Sequence, residues 1–405
     1  MSDAKALIEL EDQYGAHNYH PLDVVLSRGE GIWVWDVDGN KYMDFLASYS
    51  AVNQGHCHPA IVDALVKQTR ELALTSRAFR NDQLGPFYEK LCKLTGFEKL
   101  LPMNTGAEAV ETAIKAARKW GYKVKGVPEG EAEILVFDNN FHGRTTTIVG
   151  FSSEDQYRDG FGPFTPGFTL LPYGDAEAVR AAMNPNVVAI LIEPIQGEGG
   201  IVVPPEGHLR FLREICDEHN ALLIADEIQS GLGRTGKLFA FEHEGIRPDM
   251  VTIGKALSGG LYPVSALLAD DAVMQVFHPG DHGSTYGGNP VAAAVARTAM
   301  RVLVEEGMID NSAALGEYLK HRLAGLDSAH VKEIRGKGLW VGIELHPEAG
   351  GARRFCERLM RDGLLCKETH EHVIRLAPPL VITREELDWA LERVERVLAT
   401  EAVPV

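Results

Sequence analysis

Six short runs between residues 99 and 268 are almost wholly apolar, and they decide the fold class. They are Lys99–Met103, Glu133–Phe137, Val187–Ile192, Ala221–Ala225, Met250–Ile253 and Val264–Leu268. A strand with one wet face alternates apolar and polar residues. A run without alternation is covered on both faces. Helical stretches separate these runs. The pattern predicts an α/β protein whose large, mostly parallel sheet is sandwiched by helices.

The flanks differ. Residues 1–45 hold a helix-like start and then Gly31–Phe45, where Asp38-Gly39-Asn40 marks a hairpin turn between apolar flanks. After Asn289-Pro290 a helix runs from Val291 to Glu306. Strands at Leu339–Glu344 and Val373–Leu376 follow, then a terminal helix whose start, Thr383-Arg-Glu-Glu386, has the capping-box spacing. The expected organisation is an N-terminal segment, 1–45, packed with the small domain. A large domain, 46–300, and a small C-terminal α/β domain, 301–405, complete it.

In an open α/β sheet, ligands bind beyond the carboxyl ends of the strands. Polar residues end five successive runs here: Asn104-Thr-Gly-Ala107, Phe141-His-Gly-Arg144, Glu193-Pro-Ile-Gln-Gly-Glu198, Asp226-Glu227 with Gln229, and Lys255. Lys255 follows a short strand and precedes a glycine turn. Desolvation there lowers an ammonium pKa and frees the amine to form a Schiff base. A carboxylate such as Asp226 beside it keeps a pyridine nitrogen protonated, which is what pyridoxal phosphate requires as an electron sink. Gly106 opens a helix whose first N–H groups suit a phosphate. Arg144 and Arg375 are candidate carboxylate clamps, because arginine grips a carboxylate in a two-pronged fork.

Other signals point away from alternatives. Gly231-Leu-Gly-Arg-Thr-Gly236 spells a dinucleotide fingerprint, but Asp226–Ser230 separates it from its strand and no helix opens after it. The same stretch mimics a phosphate-binding loop, yet Leu238 stands where a hydroxyl must hold magnesium. His56-Cys57-His58 and His370-Glu371-His372 lack metal-site spacing, and no metal is expected. A net charge of −17 disfavours nucleic acid and anionic membranes as partners. Five scattered cysteines, no long apolar run and an acidic N-terminus without a leader pattern indicate a reducing compartment, the cytoplasm.

The longer motifs carry a family resemblance. They run from Tyr14-Gly-Ala-His-Asn-Tyr-His-Pro21 through Ser48–Pro59, Met103-Asn-Thr-Gly106, Asp159-Gly-Phe-Gly-Pro-Phe164, Gly254–Val264 and His282–Pro290 to Arg375-Leu-Ala-Pro-Pro-Leu380. Together they resemble class III aminotransferases of pyridoxal-phosphate fold type I, in the branch that acts on ornithine. The resemblance implies pyridoxal 5′-phosphate as cofactor, with Lys255 as the Schiff-base lysine and Asp226 at the ring nitrogen. It puts Gln229 near the ring hydroxyl, Phe141 on the ring face, and Gly106 and Ala107 at the phosphate. Ser284 and Thr285 would reach that phosphate from a neighbouring subunit, which implies at least a homodimer. Tyr19 and Tyr49 would shape the pocket for the far end of ornithine, and Arg144 would hold its α-carboxylate. Arg375 would take the carboxylate beside the keto group of 2-oxoglutarate, and Glu198 would mask Arg375 while ornithine reacts. The implied products are glutamate semialdehyde and glutamate. N-acetylornithine and 4-aminobutyrate are the alternative amino donors. Gly199-Gly200 and His142 lean slightly toward the acetylornithine branch.

Overall fold

The computed structural model describes residues 3–399. Met1, Ser2 and residues 400–405, which the expected outer segments include, lie outside the described residues. Strands β1 (Leu26–Glu30), β2 (Trp33–Asp36) and β3 (Lys41–Asp44) form an antiparallel meander near the N-terminus. The expected hairpin is β2–β3, and Asp36 closes its turn by accepting from the Asp38 and Asn40 amides.

The large sheet holds β4 (Lys99–Met103), β5 (Glu133–Phe137), β6 (Phe168–Leu171), β7 (Val187–Ile192), β8 (Leu222–Asp226), β9 (Met250–Ile253) and β10 (Ser265–Ala269). Its order is β4-β10-β9-β8-β7-β5-β6. Only β10 runs against its neighbours; the remaining pairings are parallel. A mostly parallel sheet was the expectation. The unforeseen member is β6, an edge strand with two half-buried residues and one exposed leucine, Leu170.

The apolar runs split between two cores, as doubly covered strands must. On β8, Leu223 and Ala225 join Leu209, Leu212 and Ile215 of the helix His208–Glu218. Leu222 and Ile224 join Val110, Ala113, Ile114 and Ala117 of the helix Gly106–Trp120 on the other face. Each such buried leucine or isoleucine contributes about 1.5–3 kcal/mol. Ile224 is fully buried, so Ile224→Asp would strand a charge between sheet and helix.

Beyond the helix Pro290–Glu305, β11 (Val331–Gly336), β12 (Val341–Leu345), β14 (Lys367–Thr369) and β15 (Val373–Leu376) make a small sheet, with β13 (Leu364–Leu365) between them in sequence. The order is β11-β12-β15-β14. Here β13 leaves for the N-terminal meander and pairs in parallel with β3. The capping box closes as expected: Glu386 N donates to Thr383 Oγ1 and Thr383 N donates to the Glu386 carboxylate.

The stretch Gly231–Gly236 forms turns rather than a phosphate loop. Its Arg234 is fully buried and ties three segments together. The guanidinium donates to Leu339 O, Pro378 O and the Asn53 side chain.

Candidate active site

The polar strand ends do converge. A cavity of about 190 Å³ is lined by Gly106, Ala107, Phe141, Asp226, Gln229 and Lys255, together with His142, Gly143 and Glu193. Lys255 opens a short 3-10 turn, Lys255–Ser258, directly after β9. Its φ of 42° lies in the left-handed region, which costs a residue with a side chain about 1–2 kcal/mol. Among the described residues, nothing accepts a hydrogen bond from its amine. Burial pushes the Lys255 ammonium below its ordinary value; the carboxylates of Glu198, Asp226 and Glu193 act against that shift.

Asp226 ends β8 and is held by three donors. His142 Nδ1 lies 2.6 Å from Oδ2, while Thr252 Oγ1 and the Ile228 amide donate to Oδ1 at 2.9 and 3.1 Å. Burial opposes charge on His142, but its hydrogen bond to Asp226 and the charges of Asp226 and Glu193 outweigh it and raise its pKa. Glu193 accepts from the Phe141 and Gly197 amides and is pushed up to about 7, chiefly by burial.

At the other end of the cavity, Thr105 caps the helix Gly106–Trp120 in a full capping box with Glu108. That box occupies the Glu108 amide, whereas the first-turn N–H groups of Gly106 and Ala107 have no partner within the helix, and both residues line the cavity. Gly143 packs against this helix start with φ 128°, and a Cβ there would sit 2.8 Å from Ala107 Cβ.

A second cavity of about 850 Å³ is lined by Tyr19, Tyr49 and Arg144, with Tyr157 and Lys367. The Arg144 guanidinium lies 4.1 Å over the Tyr157 ring and 5.5 Å from the Phe141 ring centre. No carboxylate pairs with it among the described residues. Tyr19 is largely exposed, whereas Tyr49 is half-buried with the Arg375 guanidinium 4.9 Å over its ring. Burial raises the Tyr49 pKa. Arg375 is almost fully buried, and its Nη1 donates to Glu198 Oε1 at 2.8 Å.

Ser284 and Thr285 do not line either cavity. Ser284 Oγ accepts from Asn104 Nδ2 at 2.8 Å, and Thr285 points outward, exposed.

The family model described as Aminotransferase class-III matches residues 14–398. The chain belongs to that family. The aminotransferase is 59% identical over 393 residues to the ornithine aminotransferase of Bordetella pertussis, covering 97% of this chain and 95% of that one. It superposes with a TM-score of 0.96 on a structure of the ornithine aminotransferase from Toxoplasma gondii with pyridoxal phosphate at partial occupancy. That match is 44% identical and covers 98% and 94% of the two chains. An acetylornithine aminotransferase from Elizabethkingia anophelis aligns with a TM-score of 0.90 at 48% identity, covering 98% and 99%.

Four residues of the site went unassigned in the sequence reading. His142, Glu193 and Thr252 shape the surroundings of Asp226, and Tyr157 supports Arg144. His142 and Glu193 stood in the strand-end motifs, so their place was visible but not their partner. Tyr157 carried no signal, because it lies in a short helix, Asp155–Arg158, far from any strand end.

Proposed function

We propose that this class-III aminotransferase moves the δ-amino group of L-ornithine to 2-oxoglutarate. The products are glutamate and glutamate semialdehyde, which closes to pyrroline-5-carboxylate. One observation carries the substrate reading. The larger cavity is lined by Arg144, which has no carboxylate partner, and by Tyr49, over whose ring lies Arg375, a cation already masked by Glu198. Ornithine has a carboxylate at its far end and none at its reacting end. 2-Oxoglutarate has one at each. A site with one open clamp and one that opens on demand fits both in turn, since an unpaired buried charge is costly.

The smaller cavity fits pyridoxal 5′-phosphate on its own chemistry. It combines an unpartnered amine, a carboxylate held by three donors, an aromatic face and a helix N-terminus. Lys255 would attach the cofactor, Asp226 would hold its ring nitrogen, Gln229 would lie on the ring-hydroxyl side and Phe141 on the ring face. The Gly106 and Ala107 amides would bind its phosphate. When bound, the cofactor supplies an aldehyde that carries the amino group and a protonated ring that accepts an electron pair.

The protein's own residues do the rest. Arg144 grips the ornithine α-carboxylate in the two-pronged geometry that arginine favours. Tyr19 and Tyr49 flank the free α-amino group, and a polar pocket built for it disfavours donors that leave its partners unmet. Lys255 Nζ, kept uncharged more readily by burial, takes the proton from the δ-carbon. Glu198 then swings from Arg375, which receives the carboxylate next to the keto group.

Thr285 is exposed and Ser284 sits beside Asn104, both outside their own cavity. That supports a homodimer in which a second copy presents them to the phosphate. Residues 1–45 and 301–405 are read as flanking segments around a cofactor-binding domain, 46–300. Five free cysteines favour the cytoplasm, and no helix among the described residues is long and apolar enough to cross a membrane.

The second reading, N-acetylornithine as donor, draws on the 48% identity to the Elizabethkingia anophelis protein. The loaded enzyme is incubated with 2-oxoglutarate and either donor, and products are quantified. Pyrroline-5-carboxylate with faster turnover of ornithine supports the first reading. Faster turnover of N-acetylornithine replaces it with the second.

A further inference from the structure

The residue row that contains Arg375 continues across the small sheet. Arg375 on β15 faces Gly342 on β12, and Gly342 faces Arg335 on β11. Residues directly opposite on neighbouring strands present their side chains to one face. The segment from Glu198 to Gly200 lies across this row. Arg375 Nη1 takes the Glu198 carboxylate at one end, and Arg335 Nε donates to Gly200 O at 2.9 Å at the other. Between them the sheet has no side chain: a Cβ on Gly342 would sit 2.9 Å from the same Gly200 oxygen. Thr369 Oγ1 adds a hydrogen bond to Glu198 O at 2.6 Å. Arg335 is itself oriented by the carboxylates of Glu333 and Glu344. A Gly199-Gly200 pair is otherwise free to wander, with Gly200 at φ 107°. Docking on the sheet removes that freedom.

We propose that Arg335 and Gly342 are positioning residues that set the balance between the two substrates. They seat the segment from Glu198 to Gly200 so that Glu198 rests on Arg375. The proposal builds on Arg375 as the carboxylate site of the oxo acid. A dicarboxylate must displace Glu198 from Arg375, whereas ornithine reacts with the pair closed. Firm docking therefore favours ornithine, and loosened docking favours the dicarboxylate.

The probe is glutarate, a dicarboxylate that cannot react, titrated calorimetrically into both the loaded enzyme and the cofactor-free protein. Ornithine half-reaction kinetics are measured alongside. Arg335→Met and Gly342→Ala are each expected to tighten glutarate roughly 2- to 10-fold, the worth of one hydrogen bond. Each lowers kcat/KM for ornithine by a similar factor. In a Glu198→Ala background, Arg335→Met is expected to change glutarate affinity no further, because its effect passes through Glu198. Parent-like glutarate binding by folded Arg335→Met, or an equal shift in both backgrounds, overturns the proposal. Where Gly342→Ala fails to fold, Arg335→Met on the edge strand carries the test. Arg375→Ala separates the two layers. Glutarate affinity unchanged by Arg375→Ala refutes the carboxylate site itself. Affinity lost in Arg375→Ala but unmoved in Arg335→Met refutes only the docking row.

Discussion

Gly143→Ala probes how tightly the start of the helix Gly106–Trp120 is held. Gly143 has φ 128°, a conformation that residues with a side chain avoid at a cost of about 1–3 kcal/mol. The added Cβ would meet Ala107 Cβ at 2.8 Å, with Ala107 Cα and Ile148 Cδ1 at 3.2 Å behind it. Overpacking of that kind costs about 1–3 kcal/mol more. The total, roughly 2–6 kcal/mol, can be shed only by moving the backbone around Gly106 and Ala107 or by lowering stability. Urea unfolding of the cofactor-free protein reads the stability share. Equilibrium dialysis of pyridoxal phosphate reads the share taken from binding, about tenfold in affinity for each 1.4 kcal/mol. The double variant Gly143→Ala/Ala107→Gly removes the nearest contact but not the backbone strain, so it should recover about half of the loss. A Gly143→Ala protein with parental stability and parental cofactor affinity would refute the reasoning. A double variant no better than the single one would refute the part assigned to Ala107.

Three further outcomes are expected. Lys255→Ala and Lys255→Gly both abolish turnover, but the glycine variant should be about 1 kcal/mol more stable, since the left-handed φ of 42° then carries no strain; equal stabilities would show that the turn relaxes. Glu193 has its folded pKa raised from 4.5 to about 7, so its contribution to stability is complete below pH 4.5 and is lost as pH rises through about 7. Glu193→Gln of the cofactor-free protein should therefore gain on the parent by up to about 3 kcal/mol across that window, and a difference independent of pH would discount burial as the cause. Glu198→Ala exposes the Arg375 charge, so the ornithine half-reaction should slow by about 10-fold or more while glutarate binds more tightly; unchanged rates and affinity would count against the masking role.

The large sheet was legible because its central strands are apolar without a break, and burial on both faces leaves no other option. Val187–Ile192 is buried at every position. The strands that escaped notice lie at edges or are very short. Phe168–Leu171 and Val331–Gly336 each pair on one side only and keep polar or half-exposed residues, while Leu364–Leu365 spans two residues. The strand ends of the site were visible from the same apolar runs, since polar residues follow each run directly. Their pairings were harder to see. His142 and Asp226 are 84 positions apart, and nothing local in Phe141-His-Gly-Arg144 names its partner. The contact of Gly200 with Arg335 depends on cross-strand register, which an isolated chain does not display.

The parallel pairing of β13 with β3 also has a consequence in time. Met43 waits for Leu364, so the N-terminal meander cannot be completed until roughly 320 further residues have been synthesised. At about 5–20 residues per second, that delay is roughly 15 to 65 s on the ribosome. Through that interval the apolar side chains of Met43 and Phe45 have to be shielded by something other than their final partners. The wall of the larger cavity that joins Tyr19 and Tyr49 to Leu365 and Lys367 is then among the last parts of the molecule to close. A nascent chain halted before Leu364 would hold every strand of the large sheet and still lack one wall of the larger cavity.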